Sequence, residues 1–290
     1  MPIVNLTLSI FFSALLFVIL RLFPNMKVVT FNGIVFNYFT AAALSFYFSG
    51  KQFDAIWTEK QFIPVALITG TMFIAVFYIT GVTSQRSGVS VASIASKMSM
   101  VIPISAGIIL YSESISLIKG IGMFLAFPAV YLVTKPSTLQ EKKAFRVKDF
   151  YLPIVLFVGA GIVDSLIKLM QHFFMNPGNH GIIMMYVFGS AGLLGFGRML
   201  YLVLWRGHRV TVYDLMGGIL LGISNYLSLY FLILCLDNPA IESSQVFTIV
   251  NTGVVIFSAV AAVLFFNEKF TLSKIVGTLM ALAAILIVSV

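Results

Sequence analysis

Residues 112–122 read SESISLIKGIG and residues 267–277 read NEKFTLSKIVG. At a constant shift of 155 positions the two stretches match Glu113 to Glu268, Leu117 to Leu272, Lys119 to Lys274 and Gly122 to Gly277. Each lies between two long apolar runs, so the same polar joint is written twice. A repeated joint in an otherwise apolar chain reads as an internal duplication of membrane helices, the pattern of a carrier built from repeats.

The composition identifies the solvent. Of 290 residues 60% are hydrophobic and 10% charged, with a mean hydropathy of +1.04, whereas a soluble domain carries about 25% charged residues. Apolar runs of about 20 residues, enough for a helix to cross a bilayer, fill most of the chain and leave no room for a soluble domain. Helices are the expected element, because lipid cannot satisfy an open backbone and the runs are too long and apolar for barrel strands. The first run starts at residue 3 without a basic segment or a small-x-small cleavage site, and reads as a retained span. The sequon Asn5-Leu6-Thr7 lies at the mouth of that run, where a glycan would sit in the membrane interface, and reads as chance.

Ten spans are expected, near 3–22, 29–49, 62–82, 89–111, 116–134, 150–173, 181–205, 213–236, 241–266 and 271–290. The longest polar link, KPSTLQEKKAFRVKD at 135–149, separates a first five-helix repeat, 1–134, from a second, 150–290. A shift of 155 keeps Val91 over Val246, Ile94 over Ile249 and Ala106 over Ala261. A shift of 147 lays Arg21 over Lys168, and one of 152 lays Gly70 and Tyr78 over Gly222 and Tyr230. An odd number of spans per copy gives the copies opposite orientations. The expected fold is an all-α membrane protein of ten transmembrane helices, two inverted five-helix repeats around a central cavity.

Two fives of spans, Glu113 and Glu268 closing the fourth and ninth, glycine-bearing fifth and tenth spans, and Arg21 and Lys168 ending the first helix of each half resemble the drug/metabolite transporter superfamily, EamA branch. The resemblance covers essentially the whole chain. It implies a ten-helix transporter fold, a small metabolite as cargo and termini in the cytoplasm; members move amino acids, drugs, sugars and nucleotide sugars. The chain departs from the family's usual pattern in lacking tryptophan in the first span and in placing Lys97 inside the fourth.

A charge at the centre of a membrane helix costs about 2.5–3.5 kcal/mol on insertion scales, so it faces protein or water. Lys97, Asp164, Lys168 and, less deeply, Arg198 lie inside the apolar runs. Asp164 and Lys168 stand i,i+4 with the acid first, a spacing that lets them pair on one helix face as a coupling site or a structural ion pair. On the fourth span Ser90, Ser93 and Lys97 form a stripe whose counterparts on the ninth are Gln245, Thr248 and Thr252, with Ser96 matched by Asn251. Two polar stripes at equal depth read as the wall of a substrate-binding cavity. The alternative is hydroxyls bonding back to their own helices, with Asn251 joining two helices. Asn225, Tyr230, Tyr78, Asn37 and Tyr38 are weaker lining candidates, each alternatively a helix-to-helix hydrogen bond. Gly218 and Gly222 read as a packing seam, and Pro103 as a kink beside the cavity or a lost backbone bond absorbed by packing. Glu113 and Glu268 read as helix-end architecture.

Lys97 and Lys168 against Asp164 leave one excess positive charge, which favours a solute bearing a carboxylate; a deprotonated Lys97 would suit neutral or cationic cargo. Asp164 is a candidate for proton exchange in a coupling cycle. Cys235 is the single cysteine, and His172, His180 and His208 show no ligand spacing, so no metal or cofactor is expected. No clustered constellation of catalytic groups points to a membrane enzyme. Twelve basic residues follow odd spans (Arg21, Lys27, Arg86, Lys135, Lys142, Lys143, Arg146, Lys148, Arg206, Arg209, Lys269, Lys274) and three follow even ones (Lys51, Lys60, Lys119). The positive-inside rule thereby puts the termini outside, opposite to what the resemblance implies. The net charge of +8 is accounted for by anionic lipid headgroups, without nucleic acid. Taken together, the sequence reads as a multi-pass inner-membrane secondary transporter exporting amino-acid-like or other amphipathic solutes by alternating access. Drug efflux or a sugar or nucleotide-sugar carrier is the alternative, and a receptor or scaffold the non-transport one. The partners expected are a small-molecule substrate and the bilayer, with the oligomeric state unassigned.

Overall fold

The computed structural model describes residues 2–48, 60–111, 117–135, 147–174, 180–236 and 243–288. Among these the chain forms eleven α-helices and no strand. They are α1 (Pro2–Leu22), α2 (Thr30–Phe48), α3 (Ile63–Arg86), α4 (Val89–Met98), α5 (Val101–Tyr111) and α6 (Leu117–Thr134), then α7 (Val147–Phe173), α8 (His180–Arg206), α9 (Val212–Leu236), α10 (Ser243–Phe266) and α11 (Leu272–Val288). A single 3-10 turn, Lys60–Phe62, leads into α3.

Eight helical segments are long and apolar enough to cross a membrane, with α4 and α5 together making one of them. The protein is an all-α, multi-pass membrane protein. The sequence led us to expect ten spans, and a helix lies in each expected segment, but α2 and α11 are not among the eight. Thr30, Asn32, Asn37, Tyr38, Thr40 and Ser45 lower the apolarity of α2 within its 19 residues, and α11 has 17.

The fourth span breaks at Ser99–Met100. Pro103 has no N–H, and its ring crowds the carbonyl four residues earlier, that of Ser99. That carbonyl instead accepts from the Ile102 N–H at 2.9 Å. The Ser99 hydroxyl turns back to the Ser96 carbonyl at 2.5 Å, tightening the last turn of α4. The kink expected at Pro103 is thus a break one turn ahead of it. Around it α4 is the most enclosed span: 56% of the α4–α5 window is buried, against 28–39% for the other seven.

Small residues decide which helices approach closely. A side chain at Gly122, early in α6, would meet Val288 late in α11, and one at Gly277, early in α11, would meet Val133 late in α6. The two helices therefore run antiparallel, along a seam that includes the buried Ala126, Ala129, Ala281 and Ala284. Gly218 and Gly222 of α9 lie against the backbone carbonyls of Gly33 and Asn37 on α2, a close approach only glycine allows. Gly70 of α3 meets the Val187 carbonyl of α8 in the same way. The bundle is completed by α1 packing on α9, α10 and α3, and by α7 packing on α3, α4 and α5. Phe124, Leu264, Phe265 and Leu279 project outward and are exposed, as side chains facing hydrocarbon are.

Candidate functional site

The break in the fourth span gathers the charges. Lys97 stands in the last turn of α4, where a cation complements the carbonyl end of the helix. Asp164 of α7 accepts a hydrogen bond from the Ser99 hydroxyl at 3.1 Å. The Lys97 and Asp164 charges act on each other across the two helices without a direct ion pair. Both groups are enclosed by protein, yet Asp164 is exposed and Lys97 half-buried. Enclosure together with exposed surface defines a crevice inside the bundle. Ser96, Met100 and Pro103 are half-buried beside it. An i,i+4 spacing had pointed from Asp164 to Lys168. Lys97 and Ser99 of the neighbouring span also act on Asp164, and Lys168 stands half-buried one turn further along α7.

The rest of the expected stripe divides. Ser90 is tied to Glu268: its hydroxyl donates to one carboxylate oxygen at 2.7 Å, and the Val89 N–H donates to the other at 2.7 Å. Ser90 therefore belongs to the start of α4 and not to the crevice wall. Glu268 does the helix-end work expected of it, while Glu113 lies outside the described residues. The Ser93 hydroxyl bonds to the Ser90 carbonyl and to Ser258 of α10 at 2.5 Å, both residues fully buried. This is a joint between helices, formed with Ser258. On α10, Thr248 is buried, Asn251 and Thr252 are half-buried and Gln245 is exposed. The Thr252 hydroxyl has no hydrogen-bond partner.

The weaker candidates lie elsewhere. Asn225 donates to Asn37 at 3.2 Å, joining α9 to α2 inside the core. Tyr38 is fully buried among Phe73, Phe77 and Phe188, with its hydroxyl unpartnered, and packs as an aromatic core residue. Tyr78 is exposed and meets Phe31 edge-on, and the Arg198 guanidinium lies 5.1 Å from the same ring. These three form a cluster at the starting end of α2. Tyr230 stacks on Tyr226 at 5.8 Å.

A second polar centre lies at the start of α9. Asp214, fully buried at the start of α9, accepts from Val29 N–H at 2.6 Å, Asn32 Nδ2 at 3.0 Å and Thr211 N–H at 2.9 Å. His208 Nε2 lies 3.2 Å from Asn32 Oδ1. The signal was legible locally: Thr211-x-x-Asp214 is a capping box, and the Asp214 N–H returns a bond to the Thr211 hydroxyl at 3.3 Å. Nothing in the spacing revealed that the same carboxylate also holds the start of α2. Among the described residues no cluster of His, Cys, Asp and Glu could hold a metal.

The long apolar helices define a multi-pass membrane protein. The chain is similar to an uncharacterised protein of Haemophilus influenzae, 28% identical over 287 residues that cover 97% of this chain and 96% of that one. No model of a known protein family matches it.

Proposed function

We propose that the protein is a secondary transporter of small metabolites working by alternating access, an exporter of amino-acid-like or other amphipathic solutes across a bacterial inner membrane. The observation that carries the reading is the broken fourth span, with Lys97, Ser99 and Asp164 around an accessible crevice. A discontinuous helix at mid-membrane exposes backbone polar groups and helix ends to a solute. A cation and a carboxylate on facing helices suit a solute carrying both charges.

The inverted repeat is part of the proposal, with α2 and α11 counted as the remaining spans. Support comes from the packing. Exchanging each of the first five spans with its counterpart in the second five maps α2 on α9 to α8 on α3, α1 on α9 to α7 on α3, and α1 on α10 to α7 on the α4–α5 pair; all six contacts occur. The duplicated glycines Gly70 and Gly222 meet equivalent helices, and Gly122 and Gly277 make reciprocal contacts in an antiparallel pair. The arrangement supports kinship with the drug/metabolite transporter superfamily. The test is flux of labelled amino acids, sugars and cationic drugs in proteoliposomes, with and without a pH gradient. Lys97→Ala is expected to reduce flux of a carboxylate-bearing solute at least tenfold, and Asp164→Asn to remove dependence on the gradient. Flux of such a solute that both variants leave intact would refute the site, and flux of sugars or drugs alone would replace the cargo class.

A further inference from the structure

Asp164, Asp214 and Glu268 are the acidic side chains that the structure describes. Asp164 belongs to the crevice. The other two do one job at one end of the bundle: each arises in the second half of the chain and grips the start of a helix in the first half. Glu268 takes the Val89 N–H and Ser90 hydroxyl at the start of α4, both at 2.7 Å. Asp214 takes the Val29 N–H and Asn32 amide at the start of α2, at 2.6 and 3.0 Å. His208, also of the second half, reaches Asn32 at 3.2 Å, and Arg21 of the first half lies 5.9 Å from the ring of Phe266 in the second.

Each of the two residues is anchored within its own half, Asp214 by its side chain and Glu268 by its backbone. Asp214 is held by the Thr211 N–H, and the Glu268 N–H bonds to the Ala262 carbonyl at 3.0 Å. The receiving site at α4 is shaped for the grip. Gly88 has φ +111°, and a side chain there would strike the Glu268 carboxylate. Helix starts present unpaired N–H groups and a positive pole, so a carboxylate bonds there strongly.

We infer that Glu268 and Asp214 form a two-point latch between the halves that seals this end of the crevice and must release when the end opens. The inference rests on the transport reading. Opening would part four hydrogen bonds to carboxylates, of 2.6–3.0 Å.

The test uses the full chain in a Cys235→Ser background, reconstituted in proteoliposomes, with a membrane-impermeant maleimide applied from the latch end. The reporter is Ala95→Cys, on buried α4 below the latch. Glu268→Gln, which keeps the shape and removes the charge, is expected to raise labelling about tenfold, and Asp214→Asn to act in the same direction. A second reporter, Ser105→Cys on α5 beyond the break, is expected to label more slowly from the opposite end. That reciprocal loss separates a latch from local loosening, which would leave it unchanged. Should Asp214→Asn fail to fold, Glu268→Gln and Ser90→Ala carry the test. Labelling equal to the parent at Ala95→Cys, or increased labelling there with no change at Ser105→Cys, overturns the latch. Because labelling needs no substrate, a failure of the transport reading would appear separately, as absent flux with the labelling changes intact.

Discussion

Replacing Gly222 with alanine tests the seam between α2 and α9. The added Cβ would sit 2.5 Å from Thr40 Cβ and 2.7 Å from the Asn37 carbonyl oxygen. Ordinary contact begins at 3.4 Å, and a backbone carbonyl cannot rotate away, so the helices must part by about 0.7 Å at this point. Overpacking of this kind costs about 2–3 kcal/mol, the upper part of the usual range. Parting also stretches the Asn225–Asn37 bond, already 3.2 Å, of a type worth about 0.6 kcal/mol between membrane helices. Alanine's better helix propensity returns roughly 0.9 kcal/mol. The net loss is about 2 kcal/mol, equivalent to a fall in Tm of about 4–8 °C for a chain of this size. Thermal unfolding in detergent, followed by intrinsic fluorescence and by recovery of the monodisperse peak, gives the number. Gly197→Ala on α8 is the control: nothing lies within 4 Å of its Cβ, so its Tm should hold or rise. If Gly222→Ala matched the control, the close approach of α2 and α9 would be refuted.

Ser93→Ala and Ser258→Ala should each cost about 0.6 kcal/mol and the double variant little more, because the two hydroxyls make one joint; additive losses in a thermal double-mutant cycle would exclude it. Asp214→Ala should lose at least about 3 kcal/mol, since it strands several buried donors at once, and stability within about 1 kcal/mol of the parent would contradict that network. Tyr38→Phe removes a buried unpartnered hydroxyl and should be stabilising by about 1 kcal/mol with flux unchanged; a drop in flux would move Tyr38 into the solute path. Lys97→Met with Asp164→Asn should couple by about 1 kcal/mol or more in a stability cycle, and strict additivity would show that the two charges do not act on each other.

Much of the helical order was legible because apolar length is a one-dimensional property. The break in the fourth span was legible too, since Pro103 lacks a donor wherever it sits. Periodicity said less about partners. Ser90 and Ser93 share a face with Lys97, but the chain alone could not tell that Glu268, 178 positions on, would claim Ser90, or that Ser258 would claim Ser93. The i,i+4 rule pairs Asp164 with Lys168 because it sees only one helix; that Lys97 also acts on Asp164 needed the packing of α7 against α4. Tyr38 looked like lining because a hydroxyl in an apolar run resembles a polar contact, and three phenylalanines from other helices were needed to show otherwise.

The reciprocal fit of Gly122 to Val288 and Gly277 to Val133 is what the proposed inverted repeat would give, and the charges do not share that symmetry. Lys97 exchanges with Thr252 at the shift of 155, and Asp164 with Phe17 at the shift of 147. A frame with identical halves would make its two opposed packings degenerate in energy. On the transport reading proposed above, placing the cation in one half and the anion in the other, with neutral twins for both, would lift that degeneracy: the two packings would surround the same charges with different neighbours, biasing the resting population toward one of them before any solute binds.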